Sequence, residues 1–452
     1  MTKITEKLDS FLESNLNQYI EELSDLCRQP SISAQNLGIR EAAQMVKAML
    51  EKRGLEVSIY ETGGSPVVVG RGKGQSDRTL MFYNHYDVQP PEPLELWTSP
   101  PFEPSLRDGK LYARGVSDDK GELVSRLAAF DAVKAANDGN LPCNVLFVVE
   151  GEEEIGSPNI EPFIREHAQD LACDGCIWEF GGVNEYGNPV GVLGMRGLLG
   201  VELSVRTMKL DAHSGAAHAL PNAAWRLIRM ITTLKDEEEH VLIPGFYDNI
   251  VPISDLDREL FRKLPDSEAQ AKERYGIEHF VMGLTGQELE EAVFNPTCNI
   301  EGITTGYQGG GIKTVIPSEA SVKIDFRLVP GQEIDDLLAK LRKHLDEQGF
   351  SDVEIRKTGA IAAYKAPADD PFIQLVSQTA KDAHGKEMLL SPLSGGSGPI
   401  AAFGNILKIP IGFAGIGNPD SRAHAPDENI ALEHFVLGAK HNARILQQFA
   451  EL

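Results

Sequence analysis

The chain has 452 residues and carries 43 Lys and Arg against 67 Asp and Glu, a formal net charge of −24. This excess of acid argues against a nucleic-acid-binding protein, because such proteins use basic residues to displace the counterions of phosphates. Hydrophobic residues make up 42% and charged residues 24% of the sequence, so we expect a folded globular protein of two or three domains.

The first part of the chain alternates helices and strands. Apolar residues at helical spacing predict helices over 4–27 and 39–53, and β-rich runs predict strands over 57–60, 67–69, 80–83 and 145–149. Another helix is predicted over 121–136, between the last two of these strands. This alternation is typical of an α/β fold with a mainly parallel sheet, so residues 1–196 are predicted to form one such domain.

The pattern changes after residue 197. Strands are predicted over 198–205 and 321–329 and helices over 221–234 and 334–348, which indicates a smaller α+β domain over 197–363. The charged stretch 234–301 within it is interpreted as helical turns and loops. Helix and strand return after residue 372, with a Gly-rich run at 394–398, a strand at 409–413 and a helix at 433–452.

The sequence shows no feature of a membrane or secreted protein. It has no apolar stretch of about 18 residues, and residues 1–30 lack the apolar middle of a signal peptide. The five cysteines are few and odd in number, which favours reduced thiols over a disulfide framework. We therefore expect a cytoplasmic protein.

Side chains that bind metals gather at the ends of predicted elements. They are His85 and Asp87 after one apolar run, Asp118 and Asp119 before a helix, and Glu150, Glu152, Glu153 and Glu154 after a second apolar run. Ligands collect at the carboxyl ends of strands in open α/β sheets, and clustered acids repel one another unless a cation compensates them. Imidazole with carboxylate suits Zn²⁺ or Mn²⁺, and two such ions about 3.5–4 Å apart can activate a water. The residues thus predict metal-assisted hydrolysis.

Six segments carry a resemblance to a known family. They are NHYDVQP (84–90), ARGVSDDKG (113–121), EGEEEIGS (150–157), DAHSG (211–215), GGGIKTVIPSEASVKIDFRLVPGQ (309–332) and SRAHAPDE (421–428). In this order they resemble the M20 family of cocatalytic metallopeptidases, which includes carnosinase-like dipeptidases, aminoacylases and carboxypeptidase G. The amino-acid sequences of these segments are closer to those of the dipeptidases than to those of the aminoacylases.

The resemblance implies a set of five metal ligands. His85 and Glu179 would share one ion, Glu154 and His424 would hold the other, and Asp118 would bridge the two. Glu179 stands where carnosinase-like dipeptidases tend to carry Asp. Zn²⁺ is the expected metal, with Mn²⁺ and Co²⁺ as alternatives.

The resemblance also implies two residues that assist the ligands. Glu153 would be the general base, and Asp87 would orient the imidazole of His85. Asn84 stands where many members have Gly, which leaves the substrate subclass open. Because His424 must return to the first domain, the resemblance predicts a discontinuous catalytic domain of residues 1–196 and 364–452.

The domain over 197–363 resembles the family's lid and dimerisation domain, which implies a homodimer. His213 would stabilise the oxyanion in the partner subunit's active site. Arg327 would hold a substrate carboxylate, together with Gly395, Gly396 and Ser397 of the Gly-rich run.

The expected activity is hydrolysis of dipeptides or short peptides with a free C-terminal carboxylate. An N-acyl or N-carbamoyl amino acid amidohydrolase is the nearest alternative, since it keeps the chemistry and changes the substrate. A non-catalytic metal-binding homologue is the alternative from another class, and the presence of all five ligands with Asp87 and Glu153 argues against it.

Overall fold

The computed structural model describes residues 3–452. The helices are α1 Lys3–Ser14, α2 Leu16–Arg28, α3 Ile39–Lys52, α4 Lys120–Ala136, α5 Ile160–Glu166, α6 Ala223–Ile231, α7 Asp255–Phe261, α8 Glu268–Tyr275, α9 Gly286–Glu291, α10 Ile334–Glu347, α11 Pro371–His384, α12 Ile400–Leu407 and α13 Leu432–Gln448. The strands are β1 Glu56–Tyr60, β2 Val67–Gly72, β3 Ser76–His85, β4 Ser105–Arg107, β5 Lys110–Tyr112, β6 Cys143–Glu150, β7 Gly175–Trp178, β8 Gly182–Val183, β9 Pro189–Val192, β10 Gly194–Met195, β11 Gly197–Arg206, β12 Ala212–His213, β13 Thr297–Thr305, β14 Val315–Ile316, β15 Glu319–Leu328, β16 Glu354–Ile361, β17 Tyr364–Lys365, β18 Leu389–Ser391, β19 Ile411–Phe413 and β20 Asn429–Ala431.

The chain divides into two compact units. The first comprises the residues up to Leu193 together with Ala366–Pro392 and Ala402–Leu452, and the second comprises Gly194–Lys365 and Leu393–Ala401. The predicted functional domains, catalytic and lid, remain predictions. None of the helices within residues 3–452 combines the length and the apolar character needed to cross a membrane.

A six-stranded sheet forms the centre of the first unit, in the order β1-β2-β6-β3-β7-β19. Within this sheet the pairs β6–β3, β3–β7 and β7–β19 are parallel. Residues 80–85 of β3 and 145–150 of β6 are buried throughout, as expected for strands covered on both faces. Helices α4 and α13 pack together, and α3 packs on β1 and β2.

The prediction of a mainly parallel sheet is wrong, because the sheets are mixed. β1 pairs antiparallel with β2, and β2 pairs antiparallel with β6. The connection from β1 to β2 is too short for a crossover helix, and strands joined by a short loop lie antiparallel. The α/β class itself is confirmed.

The predicted helices and strands of the first unit lie close to their observed positions, with one division. The helix predicted over 4–27 is broken at Asn15 into α1 and α2, with tyrosine, leucine and cysteine side chains of α2 buried. The helix predicted over 121–136 is α4, whose buried residues occupy almost every position. Charged side chains are among them, and these act on the strand ends described below.

The second unit is built on an antiparallel sheet in the order β13-β15-β11-β16. Alternate residues of β11 and β15 are buried against α6 and α10. The core of this unit contains Leu199, Val201, Leu203, Val322, Ile324 and Phe326 from the strands, and Leu227, Met230, Leu337, Leu341 and Leu345 from the helices. The stretch 234–301 contains the helices α7, α8 and α9, but its end was wrongly interpreted, because residues 297–301 begin the edge strand β13.

Candidate metal centre

The first unit brings three strand ends side by side. β3 lies between β6 and β7 with parallel pairing on both sides, so that the carboxyl ends of all three point the same way. His85 is the last residue of β3, and Glu179 directly follows β7. Glu153 and Glu154 follow β6, and Asp118 precedes α4. This is the edge at which parallel sheets bind ligands.

Asp118 lies at the centre of the cluster. Its Oδ1 is 3.0 Å from Nε2 of His85, and its Oδ2 is 2.9 Å from Nε2 of His424. The same His424 nitrogen is 3.1 Å from Oε2 of Glu154. Candidate ligand atoms of Asp118, Glu154 and His424 lie within 4.8 Å of one another. A single carboxylate therefore contacts two imidazoles that come from opposite ends of the chain.

The pKa values in the cluster reflect these contacts. Burial lowers the pKa of His85, but its hydrogen bonds to Asp118 and Asp87 outweigh burial and leave the pKa well above its usual value. Hydrogen bonds to Asp118 and Glu154 raise the pKa of the half-exposed His424 to about 10. Burial raises the pKa of Asp118, yet the two histidines hold it well below its usual value. The imidazoles and the carboxylates of the cluster thus stabilise each other's charged forms.

Among the described residues, Glu179 lacks a partner at one of its carboxylate oxygens. Its side chain is 6% exposed, and its Oε2 has no hydrogen-bond partner within residues 3–452. Burial raises the pKa of Glu179 far above its usual value, and the neighbouring Glu153 carboxylate adds to the rise. A buried polar atom without a partner is costly. This orphaned oxygen, together with the imidazole and carboxylate donors around Asp118, fits a pair of divalent cations.

The four glutamates at and just after the end of β6 separate into two groups. Glu150 accepts hydrogen bonds from the Tyr83 hydroxyl at 2.6 Å and from Ser157, and Glu152 accepts from the Asn159 amide at 2.7 Å. Glu154 instead contacts His424. The carboxylates of Glu150 and Glu152 are thus engaged outside the cluster.

Glu153 is half-buried beside the cluster. Burial raises its pKa to about 7, His85 opposes the rise, and the carboxylates of Asp118 and Glu154 add to it. These placements match the predicted assignment of Glu153 and Glu154, but their roles remain predictions.

Asp87 contacts both the His85 ring and the main chain of Glu153 and Glu154. The main-chain oxygen of Asp87 lies 3.0 Å from Nδ1 of His85, and its Oδ1 lies 3.4 Å away. Its carboxylate also accepts hydrogen bonds from the main-chain N–H groups of Glu153 at 3.2 Å and Glu154 at 3.1 Å. In addition, the Gln89 side chain donates to Oε2 of Glu154 at 2.9 Å.

A buried charged network lies behind the strand ends. Arg126 of α4 donates to the carbonyl oxygen of Tyr83 at 2.5 Å, to Oδ1 of Asn84 at 2.8 Å and to the carbonyl oxygen of Trp178. Asp119 accepts from the Asn84 side chain at 2.7 Å and from the main-chain N–H of His85 at 2.9 Å. One guanidinium therefore holds the residues that precede two predicted ligands, Asn84 before His85 and Trp178 before Glu179.

The other predicted site residues belong to the second unit. Nδ1 of the exposed His213 accepts a hydrogen bond from the Gly215 N–H at 2.9 Å. Arg327 on β15 donates to Oγ of Ser397 at 2.9 Å. Gly395 and Gly396 are exposed beside Ser397. The second unit thus brings Arg327 and the Gly-rich run together.

Sequence reasoning missed four polar residues. Gln89 and Glu428 bond to predicted ligands, Arg126 bonds to Asn84 beside His85, and Arg114 bonds to Glu428. Arg126 lies in the helix predicted over 121–136 and had no assigned role. Gln89, Arg114 and Glu428 lie inside the quoted segments NHYDVQP, ARGVSDDKG and SRAHAPDE, and each lacked an assigned role. Unassigned polar residues within such segments were the available signal.

Comparison with known proteins identifies the family. The profile of peptidase family M20/M25/M40 matches residues 81–448. The chain belongs to this family. The match covers each predicted ligand, from His85 to His424, of this M20 peptidase.

Individual relatives agree with this result. The chain is 26% identical to the Cys-Gly metallodipeptidase dug1 of Schizosaccharomyces pombe, over 96% of each protein. It is 26% identical to the human Beta-Ala-His dipeptidase, over 86% of this chain and 78% of that protein. The structure of an M20 family metallo-carboxypeptidase, Sso-CP2 from Sulfolobus solfataricus, matches with 36% identity and a TM-score of 0.86, over 96% of this chain and 99% of that one.

Proposed function

We propose that this M20 peptidase is a metal-dependent hydrolase that cleaves dipeptides and short peptides carrying a free C-terminal carboxylate. The observation that carries the proposal is the placement of Asp118, with one oxygen 3.0 Å from His85 and the other 2.9 Å from His424. A carboxylate that offers one oxygen to each of two imidazole-bearing sites suits a pair of ions. The dipeptidase names of two relatives support the substrate class.

The proposal assigns two divalent cations to the five ligands. His85 and Glu179 would hold one ion, Glu154 and His424 the other, and Asp118 both. Zn²⁺ is the proposed metal, with Mn²⁺ and Co²⁺ as alternatives that accept nearly the same ligands. The orphaned Oε2 of Glu179 supports the assignment of Glu179, because a cation would give this buried atom its missing partner.

The chain's own residues would move the proton. When bound, the ions polarise the scissile carbonyl and make a water molecule more acidic. Glu153 would accept the proton of the attacking water and return it to the leaving amine. Asp87 would keep Glu153 and Glu154 in register with His85, because its carboxylate receives both of their main-chain N–H groups.

The C-terminal carboxylate of the substrate would bind to the second unit. Arg327 and the Ser397 hydroxyl, which are already 2.9 Å apart, would hold it with the exposed main chain of Gly395 and Gly396. An Arg327→Met variant should raise KM for a dipeptide tenfold or more, because the substrate then loses a charged partner. Unchanged KM would contradict this assignment.

We also propose a cytoplasmic homodimer in which His213 stabilises the oxyanion in the partner subunit's site. The edge strand β13 supports dimerisation, because most of its residues are exposed and an exposed edge can pair with another chain. Two of its isoleucines, Ile300 and Ile303, are 42% and 47% exposed. All five cysteines are free, which supports a reducing compartment.

The first experiment is hydrolysis by metal-stripped protein, with and without added Zn²⁺ or Mn²⁺. Restored cleavage of free dipeptides would support the proposal. Cleavage confined to matched N-acetyl amino acids would instead indicate an N-acyl amino acid amidohydrolase, and no activity with any metal would indicate a non-catalytic homologue.

A carboxypeptidase acting on longer peptides is the second candidate function. The 36% identity to a metallo-carboxypeptidase favours it. A series of peptides of increasing length, ending in the same residue, distinguishes it from a dipeptidase, because only the carboxypeptidase should keep its kcat/KM on the longer members.

A Glu153→Gln variant tests the general base. It should lose at least a hundredfold in kcat while binding the same number of ions, because Gln cannot accept the proton. Glu152→Gln is the matched control, since Glu152 bonds to Asn159 instead. Wild-type turnover in Glu153→Gln would contradict the assignment.

A further inference from the structure

Two charged residues of the family-like segments pair with each other in the interior of the first unit. Arg114 lies in ARGVSDDKG and Glu428 in SRAHAPDE. Their side chains are 1% and 0% exposed, and Nη1 of Arg114 donates to Oε2 of Glu428 at 2.7 Å. The pair therefore joins two segments that each contain a predicted metal ligand.

Glu428 also binds the loop that carries Asp118. Its Oε2 accepts a second hydrogen bond from the Gly115 N–H at 2.9 Å. Its Oε1 accepts from the N–H of Ser117 at 2.9 Å and from the N–H of Asp118 itself at 3.0 Å. A carboxylate has about four acceptor sites, and all four are used here. Glu428 is thus occupied as an acceptor and fixes the main chain of Asp118.

The same residue fixes the segment that carries His424, four positions earlier. The main-chain oxygen of Glu428 accepts from the Ala113 N–H at 3.2 Å, and the next residues pair as β20 with β5, starting with Asn429 opposite Tyr112. Glu428 therefore holds two segments, the loop before Asp118 through its side chain and the segment after His424 through its main chain. These two segments bring His424 within 2.9 Å of Asp118.

We propose that Glu428, with Arg114 as its counter-charge, is a positioning residue for the ion assigned to Asp118, Glu154 and His424. The inference rests on the proposed function. Hydrogen-bonding partners behind metal ligands typically contribute 10- to 100-fold to metal affinity. Loss of the contacts of the Glu428 carboxylate should loosen Asp118 and His424 together, because this carboxylate ties the segment of His424 to the loop of Asp118.

The test is a calorimetric titration of Co²⁺ into metal-stripped wild type, Glu428→Gln and Glu428→Asp, with the visible Co²⁺ spectrum as a second readout. In Glu428→Gln the side-chain NH₂ group replaces one of the two acceptor oxygens. In either orientation of the amide it therefore faces two of the four N–H donors and cannot accept their hydrogen bonds. Glu428→Asp keeps the charge opposite Arg114, so that folding is favoured, but is one methylene too short to reach all three main-chain N–H groups. Both variants should bind one of the two ions at least tenfold more weakly and change the Co²⁺ spectrum.

Glu22→Gln is the matched control, because Glu22 makes a partly buried pair with Arg53, 2.8 Å apart, and has no hydrogen bond to a predicted ligand. It should lower thermal stability without changing Co²⁺ affinity. If a folded Glu428 variant binds two ions with wild-type affinity and spectrum, the inference is overturned. If wild type binds no Co²⁺, the proposed function fails and the inference with it.

Discussion

Arg126 allows a quantitative test of how the strand ends are held. The change is Arg126→Met, which keeps the length of the side chain and removes its donors. Three acceptors would lose a charged partner, namely the main-chain oxygens of Tyr83 and Trp178 and Oδ1 of Asn84. A hydrogen bond to a charged group contributes about 1.5–3 kcal/mol, so the gross loss for three bonds is roughly 4.5–9 kcal/mol.

The net loss is smaller, because the variant no longer buries a guanidinium. Against this gain, the positive charge that offsets the buried carboxylates of Asp119 and Glu122 disappears. Breaking a buried ionic network by removing one partner costs about 3–5 kcal/mol, and we expect a decrease of about 4 kcal/mol in the free energy of unfolding.

The assay is urea unfolding of metal-stripped protein, followed by tryptophan fluorescence. Trp178 reports directly, because it is fully buried and its carbonyl oxygen is an Arg126 acceptor. The control is Arg165→Met, which removes an exposed pair with Glu161 and should cost no more than about 0.5 kcal/mol. A loss below about 1 kcal/mol in Arg126→Met would refute the reasoning.

Three further predictions follow from single contacts. Glu154→Gln should lose one bound ion by elemental analysis and Glu152→Gln none, because Glu152 bonds to Asn159; equal loss would contradict the assignment. Burial lowers the pKa of His441 to about 3, so the unfolded chain binds a proton at this residue more readily than the folded state does. Between pH 7 and pH 5 the free energy of unfolding of wild type, measured in urea, should therefore fall by about 2 kcal/mol more than that of His441→Gln. Ile303→Lys on β13 should convert the proposed dimer to a monomer in light scattering, and an unchanged mass would argue against that edge as the interface.

The strand-end residues were predictable because their signal is local. An apolar run followed by a polar metal-binding side chain identifies the end of β3 at His85, whatever the rest of the chain does. The same reasoning located the acids after β6. The assignments of Glu153 and Glu154 came from the family-like segments and remain predictions. In the structure Glu152 bonds to Asn159, and Glu154 contacts His424.

Other features depend on partners that are distant in the sequence. β13 was missed because it is exposed along most of its length and shows little apolar alternation. The antiparallel pairing of β2 with β6 joins two strands that are distant in the sequence. The partner of Glu428 is 314 positions away, so no local pattern could reveal their pairing.

The separation of Asp118 from His424 has a consequence for how the protein is made. The two residues are 306 positions apart, and a ribosome adds roughly 5–20 residues per second. For roughly 15 to 60 s, a nascent chain would therefore carry Asp118, and soon afterwards Glu153 and Glu154, without His424. During this interval the acids lack the imidazole that contacts both Asp118 and Glu154. The proposed two-ion centre could thus be completed only late in synthesis, so that an interrupted chain would not acquire it.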